Sequence, residues 1–160
     1  MATLPQLIEE DIRGINAVVD ELLRQSEATM AILIDKGGFV ITQSGQVDEF
    51  DTVTFGALGA ASFAATESIA GLAGERNFSS VYQQGDSKSV LVMNVDEYSL
   101  LAIVFRAQIS VGAVKYFALP TIKKIAAQLQ VALERNPATG LDLSMLNVAD
   151  PSHIFLRQSA

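Results

Sequence analysis

A chain of 160 residues, 49% hydrophobic and only 18% charged, is long enough for one compact domain with a sizeable core. Its 18 acidic against 11 basic residues give a formal charge of −7, which repels nucleic-acid phosphates and anionic membranes and favours a partner with a neutral or basic face. There is no cysteine and a single histidine, His153. Disulfides, thiolate metal sites and cysteine nucleophiles are thereby excluded, and any histidine-based triad or metal site would have to hang on the last few residues.

The N-terminal MATLPQLIEEDIRG carries acids and no basic stretch, so no secretory signal is expected. No run of about 18 apolar residues lacks polar breaks, so no membrane span is expected either, and the chain is assigned to the cytoplasm. Residues 4–25 predict an amphipathic helix. Ile8, Ile12, Ile15, Val19 and Leu22 recur on one face, and Thr3 with Gln6 offers a capping box. Gly14 inside it costs helix stability and points to a close neighbour. Thr29–Asp35 and Phe39–Gln43 then predict a hairpin turned by Lys36, Gly37 and Gly38. Because Met30–Ile34 shows no polar alternation, both faces of that strand should be covered.

Residues 52–74, TVTFGALGAASFAATESIAGLAG, predict a second helix with Asp51 as N-cap. A wheel places Phe55, Leu58, Ala65, Ile69 and Leu72 on a larger apolar face, expected to lie on the sheet. Gly56, Ala60, Ala64 and Gly71 form a small-residue face, with Glu67 beside them, expected to meet a second partner. Three strands follow, Ser80–Gln84, Ser89–Val95 and Ser99–Phe105, the first polar enough for an edge. Ser110 starts a last helix, with Val111, Val114, Ala118, Ile122, Ile125, Leu129 and Leu133 on one stripe and a kink or break expected near Pro120. Asn136–Pro137 ends it. Residues 136–160 read as a tail whose apolar clusters, Leu141–Val148 and Ile154–Leu156, predict docking on the dimer or on a partner.

The order α-β-β-α-β-β-β-α predicts an α+β domain over residues 1–135: a five-stranded antiparallel sheet with the middle helix on one face and the terminal helices on the other. The hairpin ILIDKGGFVI, the Gly/Ala-rich middle helix, the meander and the closing helix beginning SVGAVK resemble the Roadblock / dynein light chain family over residues 4–135. The length and tail are similar to its bacterial MglB subgroup. The chain departs from the family pattern at Pro120 and in the tail sequence. The resemblance implies strand order 2-1-5-4-3, a homodimer through the middle helix and third strand, and binding to a Ras-like small GTPase, with GTPase activation as the MglB-type role. On this reading Gly56, Ala60, Phe63, Ala64, Glu67 and Gly71, with Val81 and Gln83 of the edge strand, belong to the dimer interface. Ala57, Ser68 and Arg76 would face the GTPase.

No enzyme of its own is expected, and no cofactor or metal. Gly37–Gly38 joins two strands, lacks the G-x-x-x-x-G-K-[ST] pattern, and is turn chemistry, not a phosphate cradle. The acid pairs Glu9–Glu10, Asp20–Glu21, Asp48–Glu49 and Asp96–Glu97 sit on solvent faces or turns, where solvation explains them better than acid–base work. Ser110 is a cap, with no base near it in the pattern. Arg76, in the loop after the middle helix, could reach a nucleotide as an inserted arginine. The simpler reading is a surface arginine, with the GTPase completing its own site. Two competing functions remain, a small-molecule sensory module and a general protein-interaction adaptor. A sensor needs polar groups aimed into a pocket, and the inner strands offer almost none beyond Asn94.

Overall fold

The computed structural model describes residues 4–135 except Glu49; the expectation for residues 136–160 lies outside the described residues. Three helices, α1 (Glu9–Ser26), α2 (Thr52–Leu72) and α3 (Val111–Arg135), flank five strands: β1 (Met30–Asp35), β2 (Val40–Gly45), β3 (Ser80–Gln84), β4 (Lys88–Asn94) and β5 (Ser99–Arg106). The sheet is antiparallel throughout and ordered β2-β1-β5-β4-β3. β1 and β5 sit in the middle, and Met30–Ile34 and Ser99–Phe105 are buried along their whole length. That is why neither strand alternates: Leu33, Leu101, Ile103 and Phe105 face α1 and α3, while Met30, Ile32, Ala102 and Val104 face α2.

Helix α1 starts later than its apolar pattern suggests. Thr3 lies outside the described residues, and Gln6 precedes the helix. The cap is one-sided: the backbone N–H of Ile8 donates to Asp11 Oδ2 at 2.9 Å, and the apolar Ile8 side chain returns no bond. Pro5 disfavours helical geometry in the residue before it, so the chain enters extended. Ile15, Val19 and Leu22 are buried as expected, and a Cβ on Gly14 would lie 3.5 Å from the Gln128 side chain of α3. That is an ordinary van der Waals contact, so Gly14 faces α3 but an alanine would fit there.

Asp11 is the one fully buried acid among the described residues. Its carboxylate accepts from both guanidinium nitrogens of Arg135 (2.9 and 3.0 Å) and from Gln128 (2.8 Å), which ties the start of α1 to the end of α3. The Arg135 hydrogen bonds, aided by those from Ile8 and Gln128, outweigh desolvation and hold this carboxyl well below the usual range near 3.8. A carboxyl depressed in the folded state stabilises the fold above its unfolded pKa and loses that contribution as pH falls through the folded value. Asp11→Asn should therefore lower the melting temperature by a constant amount between about pH 5 and 8, and the gap from the native chain should shrink below about pH 4. A gap that persisted undiminished at pH 2 would contradict this role.

Helix α3 runs unbroken through Pro120, so of the expected kink or break the break is absent. The ring lies on the exposed side of the helix, and Thr121 Oγ1 donates to Phe117 O at 3.2 Å, adding a bond beside the gap in the ladder. Ser110 accepts from Ala113 N at 3.2 Å and is a cap. Asp96 Oδ1 accepts from Tyr98 N, Ser99 N and Ser99 Oγ, closing the β4–β5 turn.

Candidate functional site

Helix α2 lies across β1, β2 and β3, and its packing reverses the predicted faces. Gly56, Ala60 and Phe63 are its buried residues, and they rest on the chain's own sheet. A Cβ on Gly56 would meet Gly38 O at 3.0 Å and the Ile34 and Val40 side chains at 3.2 Å. Gly38, at φ +95°, brings the hairpin turn equally close to Ala57. Small residues at positions 56 and 60 thus let helix and hairpin touch, and Phe63 fills the space beyond them, its ring 5.0 Å from that of Phe78. The assignment of Gly56, Ala60 and Phe63 to a contact with another molecule is corrected: their surface is already covered.

Most of the larger face points outward instead; Phe55, at its edge, is half-buried against the α2-side core. Leu58 is 65% exposed and Leu72 91%, with Val53, Ala61, Ala65 and Ile69 also exposed. Ala57, Ala64, Glu67, Ser68 and Gly71, all named from the sequence, are exposed along the flanks of this stripe. α2 is long and apolar enough to cross a membrane, yet its inner side is seated on a folded sheet. An uncovered apolar stripe of this length marks a contact surface.

Beside it runs a second unsatisfied feature. Among the described residues β3 pairs only with β4, and its outer edge presents free backbone groups there. Val81 and Gln83 point to the α2 side, where Gln83 Nε2 donates to Ser62 Oγ at 3.0 Å, while Tyr82 stacks on Phe105 across the sheet. Between α2 and the β3–β4 pair lies an open groove of about 410 Å³, lined by Phe55, Leu58, Gly59, Ser62, Gln83, Val90 and Val92. Its two polar side chains hydrogen-bond each other, and the rest of its lining is apolar or glycine. Arg76 is exposed in the loop that follows Gly74, at the far end of α2. No cluster of three metal-ligating side chains occurs among the described residues.

An apolar helix face beside a free strand edge is the arrangement of a protein-interaction surface. The Roadblock/LC7 domain family model matches residues 14–105, more than half of the chain. Similar solved structures include MglB of Myxococcus xanthus (28% identity, 79% of this chain and 96% of that one, TM-score 0.73) and the gliding protein MglB of Thermus thermophilus (27%, 82% and 99%, 0.74). A third, described as MglB with tetrameric arrangement, is 28% identical over 83% of this chain and 100% of that one, with a TM-score of 0.76. Among curated proteins, none matches the sequence. This chain belongs to the Roadblock/LC7 domain family, and its structural neighbours at about 28% identity are MglB proteins.

Proposed function

We propose that this chain is a cytoplasmic homodimeric regulator that binds a Ras-like small GTPase and acts on its nucleotide cycle. The observation that carries this reading is the pairing of the exposed α2 stripe with the free β3 edge, on a fold shared with MglB proteins. One two-fold contact removes both liabilities. Two α2 helices cover each other through Leu58, Ala61, Ala65 and Leu72, and two β3 edges pair across the axis. Val81 and Gln83 then lie within the interface, and Ala64, Glu67 and Gly71 lie at its margin. The tetrameric arrangement named for one MglB structure supports self-association in this subgroup. An open, mostly apolar groove with only two polar side chains, bonded to each other, favours a protein contact over a small-molecule sensor.

The dimer presents paired α2 helices as a platform for the GTPase, with Ala57 and Ser68 at its surface. The GTPase supplies the nucleotide site, since this sequence has no phosphate-binding loop. The chain alone should therefore hydrolyse no GTP, and adding it to its GTPase in single-turnover conditions should accelerate hydrolysis. Arg76→Ala should leave most of that acceleration in place, because the dimer positions the GTPase's own residues. Loss of acceleration with binding intact would instead make Arg76 the inserted arginine, an effect worth about 10³-fold or more. An unchanged rate with the native chain would contradict the regulatory role.

A further inference from the structure

The opposite face of the domain carries a second uncovered surface that the α2 contact does not use. Along the outside of α3, Tyr116 is 72% exposed, Leu119 52% and Val131 49%, with Pro120 exposed between them. Lys123 interrupts this stripe and Lys124 flanks it; both are exposed, and neither belongs to an ion pair among the described residues. From residue 107 to residue 133 the chain contains no acid, although the whole chain carries −7. An apolar stripe that carries one lysine and is flanked by another fits an occupant that is both apolar and acidic.

Such a segment follows directly in the sequence. Residues 141–156 contain Leu141, Leu143, Met145, Leu146, Val148 and the Ile154–Leu156 cluster, with Asp142 and Asp150 and no Lys or Arg. We infer that residues 141–156 fold back over the outer stripe of α3, from Val131 toward Tyr116, with Asp142 and Asp150 against Lys123 and Lys124. The point of departure favours this return. Arg135, the last described residue, is held by buried Asp11, one turn beyond Val131. Pro137 disfavours helical geometry in the residue before it, and Gly140 permits a reversal. The stripe from Tyr116 to Val131 is about 22 Å long, and 16 residues span about 24 Å as helix and more when extended. The exposed α2 stripe is a poorer host: it lies across the sheet from α1 and α3 and has no lysine or arginine over residues 52–72.

This inference is independent of the GTPase and of the α2 contact, and hydrogen exchange of the full-length chain tests it directly. Amides of residues 141–156 should exchange at least about tenfold more slowly than in the isolated peptide of the same sequence. Lys123→Glu with Lys124→Glu, on exposed positions, should remove that protection, as should Leu119→Asp. Adding Asp142→Lys and Asp150→Lys to the lysine variant should restore it, which a merely destabilised fold would not do. Exchange at the free-peptide rate in the native chain would overturn the proposal. So would protection that survives both α3 variants, which would put the segment on another surface, or protection that fades on dilution, which would put it on a second copy.

Discussion

Ala65→Glu should turn the chain into a soluble, folded monomer. Ala65 lies on the exposed stripe of α2, among Leu58, Ala61 and Leu72, and its side chain touches no part of the sheet-facing core. Glutamate is a good helix former, so the helix itself loses little. Across a two-fold axis the substitution places two carboxylates in one apolar contact, where each loses hydration and meets a like charge. Several kcal/mol of lost association correspond to a rise in the dimer dissociation constant of about 100-fold or more. Sedimentation should show about half the native mass at micromolar concentration, with unchanged circular dichroism. A native-mass Ala65→Glu chain would remove the α2 stripe from the interface.

Ala60→Glu, five residues earlier, should fail in a different way. Ala60 is 5% exposed and packs with Phe63 on Met30, Ile32 and Val104 of the central strands. A carboxylate there has no cation or hydrogen-bond donor within the α2-side core, and the side chain exceeds the available space. The cost is about 4 kcal/mol or more, a large part of the stability of a domain this size. The protein should express as aggregate or melt more than about 10 °C below the native chain. The contrast between positions 60 and 65 separates a residue that serves the fold from one that serves the contact. Equal behaviour of the two variants would mean that the division of α2 into inner and outer faces is wrong.

That division was the part of the site the sequence hid. In α2, apolar residues occur all round the helix, so periodicity names no inner face. Size then misleads. Leucine and isoleucine look like core, yet the sheet-facing positions had to be small because Gly38 and Gly56 bring hairpin and helix into near contact. The signal available was the step 56–60–63, two small residues and then Phe63, opposite a hairpin that itself turns on glycine. Elsewhere the pattern was plain. Unbroken apolar runs marked β1, β4 and β5 as inner strands, the polar SVYQQ marked the edge, and the stripe Val114, Ala118, Ile122, Ile125, Leu129 marked the buried side of α3. The Asp11–Arg135 pair was not legible, because 124 residues separate its members and Asp11 stands among the acids that ordinarily open a helix. At Pro120 the expected break is absent: the tertiary packing of the Val114–Leu129 stripe holds α3 together across the one backbone bond the proline removes.

The account rests most heavily on a Ras-like GTPase as the partner, and calorimetry with the GTPase found in the same organism tests that directly. Titrated with the GTPase in its GDP form and again with a non-hydrolysable GTP analogue, the native chain should bind one form at least about tenfold more tightly, a difference of about 1.4 kcal/mol. The Ala65→Glu monomer should bind both forms weakly, since the platform is built from two α2 helices. Absence of binding in either nucleotide state, by a native chain shown to be dimeric, would contradict the account.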